Sequence, residues 1–215
     1  MITLYSFWRS GAAHRVRIAL ELKGAPYQIA TVNLRTGEQK IAPYRDLSPQ
    51  PLVPMIEIGG RRLVQSPAIL EWLDETYPTP PLLPDDPFER GLVRAAAAIV
   101  ACDVHPLGNV RVLNAVRALG AADAGVADWA SNWIEAGFEA LERLLDDANS
   151  EGPFAFGPDP TLADCTIAPQ LFAAQDRYGF DLRRFPRLAE LDAAANAHPA
   201  FVAAHPFNQP DAPDR

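Results

Sequence analysis

The spacing of apolar and polar positions changes character once along the chain. Over the first eighty residues, short apolar runs with strand character alternate with helical stretches. Ile2 to Tyr5 reads as a strand followed by a polar turn. Val16, Ile18, Ala19, Leu20 and Leu22 then share a helix that runs to about Lys23, where Gly24-Ala25-Pro26 stops it. Tyr27 to Val32 reads as a second strand, and a crossover of this length suits parallel pairing with the first. Ile41 to Leu47 suggests a short helix. Met55 to Ile58 and Arg62 to Val64 flank Gly59-Gly60, a two-residue hairpin signal. Ser66 is expected to cap the next helix, which carries Glu71-Trp72-Leu73.

A proline-rich stretch, Tyr77 to Pro87, ends this pattern, because its five prolines suit neither a helix interior nor a central strand. Beyond it the spacing is helical throughout. Glu89 to Leu119 reads as one long helix with an interruption at Pro106. Trp129, Trp133, Ile134, Gly137, Leu141, Leu144 and Leu145 trace the stripe of another. Thr161-Leu162-Ala163-Asp164 has the form of a capping box opening a third, and Pro186 to Asn196 and Pro199 to Ala204 are shorter. The tail after Pro206 is expected to be irregular. The organisation expected is an α/β domain over 1–80 (βαβαββα, mixed sheet), a linker over 81–87 and an all-helical domain over 88–215.

Composition removes several function classes. The net charge of −8 disfavours nucleic acid and anionic membranes as partners. The longest apolar run, Ala95 to Cys102, is far short of the roughly 18 residues that a membrane span needs. The strand pattern begins within two residues of Met1 and leaves no room for a signal peptide, so a cytoplasmic location is expected. Lys23 and Lys40 are the only lysines, and all other permanently basic residues are Arg, the side chain suited to planar carboxylates. Cys102 and Cys165 sit in apolar helical contexts and read as small buried hydrophobes; no metal-ligand spacing is present.

The candidate chemistry lies in the first domain. Val53-Pro54, just before the hairpin, occupies the position of the cis-proline of thioredoxin folds, and a cis bond is expected there. Gln65-Ser66 opens a helix, whose unpaired N–H groups and dipole favour an anion. Together with the domain order, the linker and the Thr161 capping box, these features resemble the cytosolic glutathione transferases across nearly the whole chain. Arg15-Val16-Arg17-Ile18-Ala19-Leu20 after a Ser-led turn is similar to the zeta class. Phe7-Trp8-Arg9-Ser10-Gly11 with His14, and Cys102-Asp103-Val104-His105-Pro106 with Asn109 and Arg111, look most like its maleylpyruvate and maleylacetoacetate isomerase branch.

The resemblance implies a thioredoxin-like first domain, glutathione as cofactor, a homodimer, and conversion of a maleyl to a fumaryl compound by reversible thiolate addition. It implies that Ser10 favours the glutathione thiolate, and that Gln50, the backbone of Val53, Gln65 and Ser66 hold the tripeptide, joined by His105 and Asn109. It assigns Arg9, Arg111 and Arg177 to the anionic substrate. Arg177-Tyr178-Gly179 matches the family's Arg-Phe-Gly, after a stretch one residue longer than usual. The other readings are a broad conjugating or dehalogenating transferase and a non-catalytic binding module. Ser10-Gly11-Ala12-Ala13 departs from the family, which carries further hydroxyl or thiol side chains here. Ser10 is then the one side chain left for sulfur, with the N–H groups of Ala12 and Ala13 behind it. His14, in the first helical turn, is expected to be exposed and outside the catalytic set.

Overall fold

The computed structural model describes residues 1–213 and divides into two compact units, Met1–Pro81 with the segment from Ala197 onward, and Leu82–Asn196. In the first unit β1 (Ile2–Ser6), β2 (Tyr27–Thr31), β3 (Met55–Ile58) and β4 (Arg61–Val64) form one mixed sheet in the order β2-β1-β3-β4. Strand β1 pairs in parallel with β2, Ile2 opposite Tyr27 and Ser6 opposite Thr31, and antiparallel with β3. Gly59 and Gly60, both at positive φ, close the β3–β4 hairpin.

The helix α1 (Gly11–Leu22) starts directly after Ser10, five residues before its apolar stripe begins. Every residue from Ala13 to Leu20 is buried, and α1 packs against α3 (Ser66–Thr76) and α9 (Pro199–Ala204). His14, at 5% exposure, is therefore not the exposed residue its position suggested. Its ring lies 6.3 Å from that of His205. Arg17 has no exposed surface. The short helix α2 is limited to Tyr44–Leu47, after a 3-10 turn at Glu38–Lys40.

The tail departs from the expected division. Residues 197–213 pack with the first unit and do not continue the helical one. Past Pro206 the chain makes a 3-10 turn, Pro206–Asn208, and Gln209 is buried with its amide donating to the carbonyls of Ala203 and His205.

The second unit contains α4 (Pro87–Ala98), α5 (Val110–Ala118), α6 (Asp123–Ala148), α7 (Leu162–Tyr178) and α8 (Pro186–Ala197). The single long helix expected over 89–119 is broken earlier than Pro106. It widens into a π-helical turn at Ile99–Val104 and resumes only at Val110. Val104 lies so close to α6 that a Cβ on Gly137 would fall 2.1 Å from its Cγ2. The turn exposes Cys102, against expectation, while Cys165 is buried. At the start of α7 the buried Asp164 accepts from the backbone N–H and hydroxyl of Thr161, at 2.7 and 2.8 Å, and from the Ala155 N–H at 2.8 Å. Burial pushes the Asp164 carboxyl up, and these hydrogen bonds oppose the rise.

Asp164→Ala leaves the Thr161 and Ala155 N–H groups without their acceptor, at a cost of about 3 kcal/mol in urea unfolding; a loss under about 0.5 kcal/mol would refute that role for the carboxylate. Burial, the Arg17 charge and the His205 ring hold His14 well below the ordinary imidazole range. Above about pH 6.5 both folded and unfolded chains carry neutral His14, so this group gives no pH dependence. Below it only the unfolded chain takes up the proton, and stability falls by up to about 1.4 kcal/mol per pH unit. Denaturant titrations at pH 7.0 and 5.5 should show His14→Gln losing about 1 kcal/mol less than the native chain; equal losses would contradict it.

Candidate functional site

In the first unit the candidate residues lie at three places: Ser10 at the start of α1, Gln50 and Val53 in the loop before β3, and Gln65 and Ser66 at the start of α3. Ser10 is the N-cap of α1. Its Oγ accepts from the Ala13 N–H at 3.2 Å, and its own N–H donates to the Phe7 carbonyl at 2.9 Å. The cap uses an oxygen lone pair and leaves the hydroxyl proton available, so the same side chain can cap the helix and donate to an anion. Accepting one hydrogen bond polarises a hydroxyl and makes it the better donor. The Ala13 N–H is committed to Ser10, which corrects the expectation that this amide faces the sulfur.

Val53 is buried, and its bond to Pro54 is cis, as expected from its context. The loop before it is fixed by side chains: the Tyr44 hydroxyl donates to the Leu52 carbonyl at 2.5 Å and the Ser48 hydroxyl to the Gln50 carbonyl at 2.7 Å. The exposed Gln50 and Gln65 side chains meet through a 2.6 Å hydrogen bond from Gln65 Nε2 to Gln50 Oε1. Gln65 has φ 72, a region that non-glycine residues rarely adopt.

Ser66 is not the cap of α3. It is the first helical residue, and Gln65 precedes it without a side-chain cap bond. Its buried hydroxyl instead accepts from Arg15 Nη1 at 3.2 Å. A buried guanidinium therefore stands at a helix start whose free N–H groups and dipole already favour negative charge. In the sequence Arg15 and Arg17 stand out only as letters of a motif; the signal available is a pair of arginines two residues apart in an otherwise apolar stretch. Arg9 is half-buried, its guanidinium 5.8 Å from the Trp8 ring centre.

The remaining candidates belong to the second unit. His105 and Asn109 are half-buried in the segment after the π-helical turn, where Trp129 Nε1 of α6 donates to the Leu107 carbonyl at 3.1 Å. Asn109 caps α5, its Oδ1 accepting from the Arg111 N–H at 3.1 Å, so that side-chain oxygen already has a structural task. Arg111 is exposed in the first turn of α5, and Arg177 is exposed in the last turn of α7, just before the left-handed Gly179. Among the described residues no group of three or more His, Cys, Asp or Glu could hold a metal ion, and no helix is long and apolar enough to cross a membrane.

Residues 9–76 match the family model of the glutathione S-transferase N-terminal domain, and residues 127–191 that of the C-terminal domain. A maleylpyruvate isomerase from Ralstonia sp. is 48% identical over 209 residues, 97% of this chain and 98% of the relative. A holo structure of maleylpyruvate isomerase, described as a bacterial zeta-class glutathione S-transferase, superimposes with a TM-score of 0.95 at 48% identity, over 98% of this chain and 100% of that one. A maleylacetoacetate isomerase from Anaeromyxobacter dehalogenans, with glutathione bound in its active site, gives 0.88 at 43% identity, over 99% and 98%. With both domains matched and identity sustained over the full length, this chain belongs to the glutathione S-transferase family, in its zeta class.

Proposed function

We propose that this protein is a glutathione-dependent cis–trans isomerase that converts maleylpyruvate or maleylacetoacetate to the fumaryl isomer. The observation that carries the reading is the Ser10 hydroxyl, which caps α1 through its oxygen and keeps its proton to donate beside a helix N-terminus. Glutathione, when bound, supplies the thiolate whose reversible addition turns the cis double bond into one that can rotate.

The residues that would hold the tripeptide fit it chemically. The α3 start, with the Arg15 guanidinium on Ser66 and the joined Gln50 and Gln65 side chains beside it, suits the charged γ-glutamyl end. The Val53 backbone suits the peptide portion. Ser10 donates to the sulfur, and the α1 dipole adds to that stabilisation and lowers the thiol pKa. Arginine suits the substrate carboxylates and the negative charge that develops on the carbonyl oxygen, and Arg9, Arg111 and Arg177 are the proposed candidates for these tasks. A homodimeric state and a cytoplasmic location are part of the same proposal.

An ultraviolet assay of maleylpyruvate and maleylacetoacetate, with and without glutathione, tests this directly. Turnover of at least one substrate only when glutathione is present is expected; turnover of neither removes the reading. Ser10→Ala should raise the pKa of bound glutathione and lower kcat by about tenfold to a hundredfold, the worth of one hydrogen bond to a charged group. Arg111→Ala should lower kcat/KM for isomerisation by a similar factor yet change conjugation of a neutral electrophile less than about twofold. Equal losses in both reactions would take Arg111 out of carboxylate recognition.

A further inference from the structure

The C-terminal strap after α9 reaches the turn that carries Arg9 and Ser10, and it does so with a charge. Trp8 lies between β1 and Ser10, and both of its backbone polar atoms are held by ionised side chains. Its N–H donates to Asp211 Oδ2 at 2.9 Å, and its carbonyl accepts from Arg17 Nη2 at 3.0 Å. The same guanidinium donates from Nη1 to Ser6 Oγ and from Nε to the Ala204 carbonyl, each at 3.0 Å. One cation thus grips the end of β1, the turn and the end of α9.

The strap itself is well anchored. The amides of Gln209 and Asn208 hold the carbonyls of Ala203, His205 and Val202. The Phe207 ring lies 5.4 Å from the Trp8 ring, and Phe207 and Ala212 pack against the apolar cluster of Phe7, Trp8, Val32, Tyr44, Val53 and Met55. That cluster contains Val53 of the proposed tripeptide site. Phe207 and Ala212 would provide this apolar cover without any charge, so packing does not account for Asp211. What Asp211 adds is a charge-assisted acceptor for one peptide N–H, roughly twice as strong as a neutral one.

We propose that Asp211 is a positioning residue for the sulfur site. By holding the Trp8 N–H while Arg17 holds the Trp8 carbonyl, it fixes the two peptide planes on either side of the Trp8 Cα, from which the turn continues. Arg9 then projects over the Trp8 ring, and Ser10 closes on Phe7 with its hydroxyl set at the start of α1. The inference rests on the reading of Ser10 as the sulfur's partner.

The test is a double-mutant cycle of Asp211→Ala and Ser10→Ala, read as kcat for isomerisation and as the thiol pKa of bound glutathione from its thiolate absorbance. In the native background D211A should lower kcat on the order of tenfold and raise the thiol pKa. The KM for glutathione should stay within about twofold. Asp211→Asn, whose amide oxygen still accepts from the Trp8 N–H, should recover most of the loss. In the S10A background D211A should change neither kcat nor the thiol pKa further. Equal effects in the two backgrounds, native kcat in D211A, or no recovery in D211N would overturn the assignment. Native kcat and thiol pKa in S10A alone would instead remove the role of Ser10, and this inference with it.

Discussion

A guanidinium without exposed surface must find its hydrogen bonds inside the protein, and the chain has to arrange itself to supply them. Arg17 is that group. Taking it out of water costs several kcal/mol, and among the described residues its hydrogen bonds go to three uncharged oxygens, of Ser6, Trp8 and Ala204. Burial lowers its pKa to about 10, opposed by the nearby Asp211 carboxylate, so it stays a cation at neutral pH. Hydrogen bonds to a charged donor contribute roughly 1.5–3 kcal/mol each, which makes all three necessary to offset the cost. The end of β1, the following turn and the end of α9 are tied by that need.

The chemistry proposed for the first unit depends on this tie and on a second one. Arg15, two residues earlier on α1, ends on Ser66 and so joins the helix that carries the sulfur partner to the helix start that would take a carboxylate. Two helix N-termini, each favourable to negative charge, are thereby tied to each other by the buried Arg15. Loss of the family's extra hydroxyl and thiol side chains at Ala12 and Ala13 leaves the site dependent on Ser10. Its double use of one hydroxyl, accepting from Ala13 and free to donate, is how a single side chain can still serve.

The sheet, the Gly59-Gly60 hairpin, the cis bond at Pro54 and the α7 capping box were legible in the sequence because each is set by local chemistry. A positive-φ turn needs glycine, and Thr161 and Asp164 cap within one turn. What escaped reading was set by contacts distant in sequence. His14 looked exposed because its helical turn is near the surface in most proteins, yet the returning strap covers it. The strap looked irregular because Phe207 and Asp211 have no periodicity; their partner, Trp8, lies some two hundred residues away. The long helix expected over 89–119 failed because Gly137, on another helix, admits Val104 and the intervening turn widens. Ser66, expected as the cap of α3, is its first helical residue and is held by Arg15, and Asn109 caps α5, a task that no apolar pattern marks.

The coupling of strap and turn through Arg17 is best measured by amide hydrogen exchange in the native chain and in Arg17→Lys. Lysine keeps the charge but cannot span three oxygens in a planar fork. Protection of the Trp8, Ser10 and Gln209 amides should fall together by about tenfold or more, with the amides of 162–178 unchanged. Undiminished protection of Trp8 and Ser10 in a variant that has lost the guanidinium would show that the turn is held by something else.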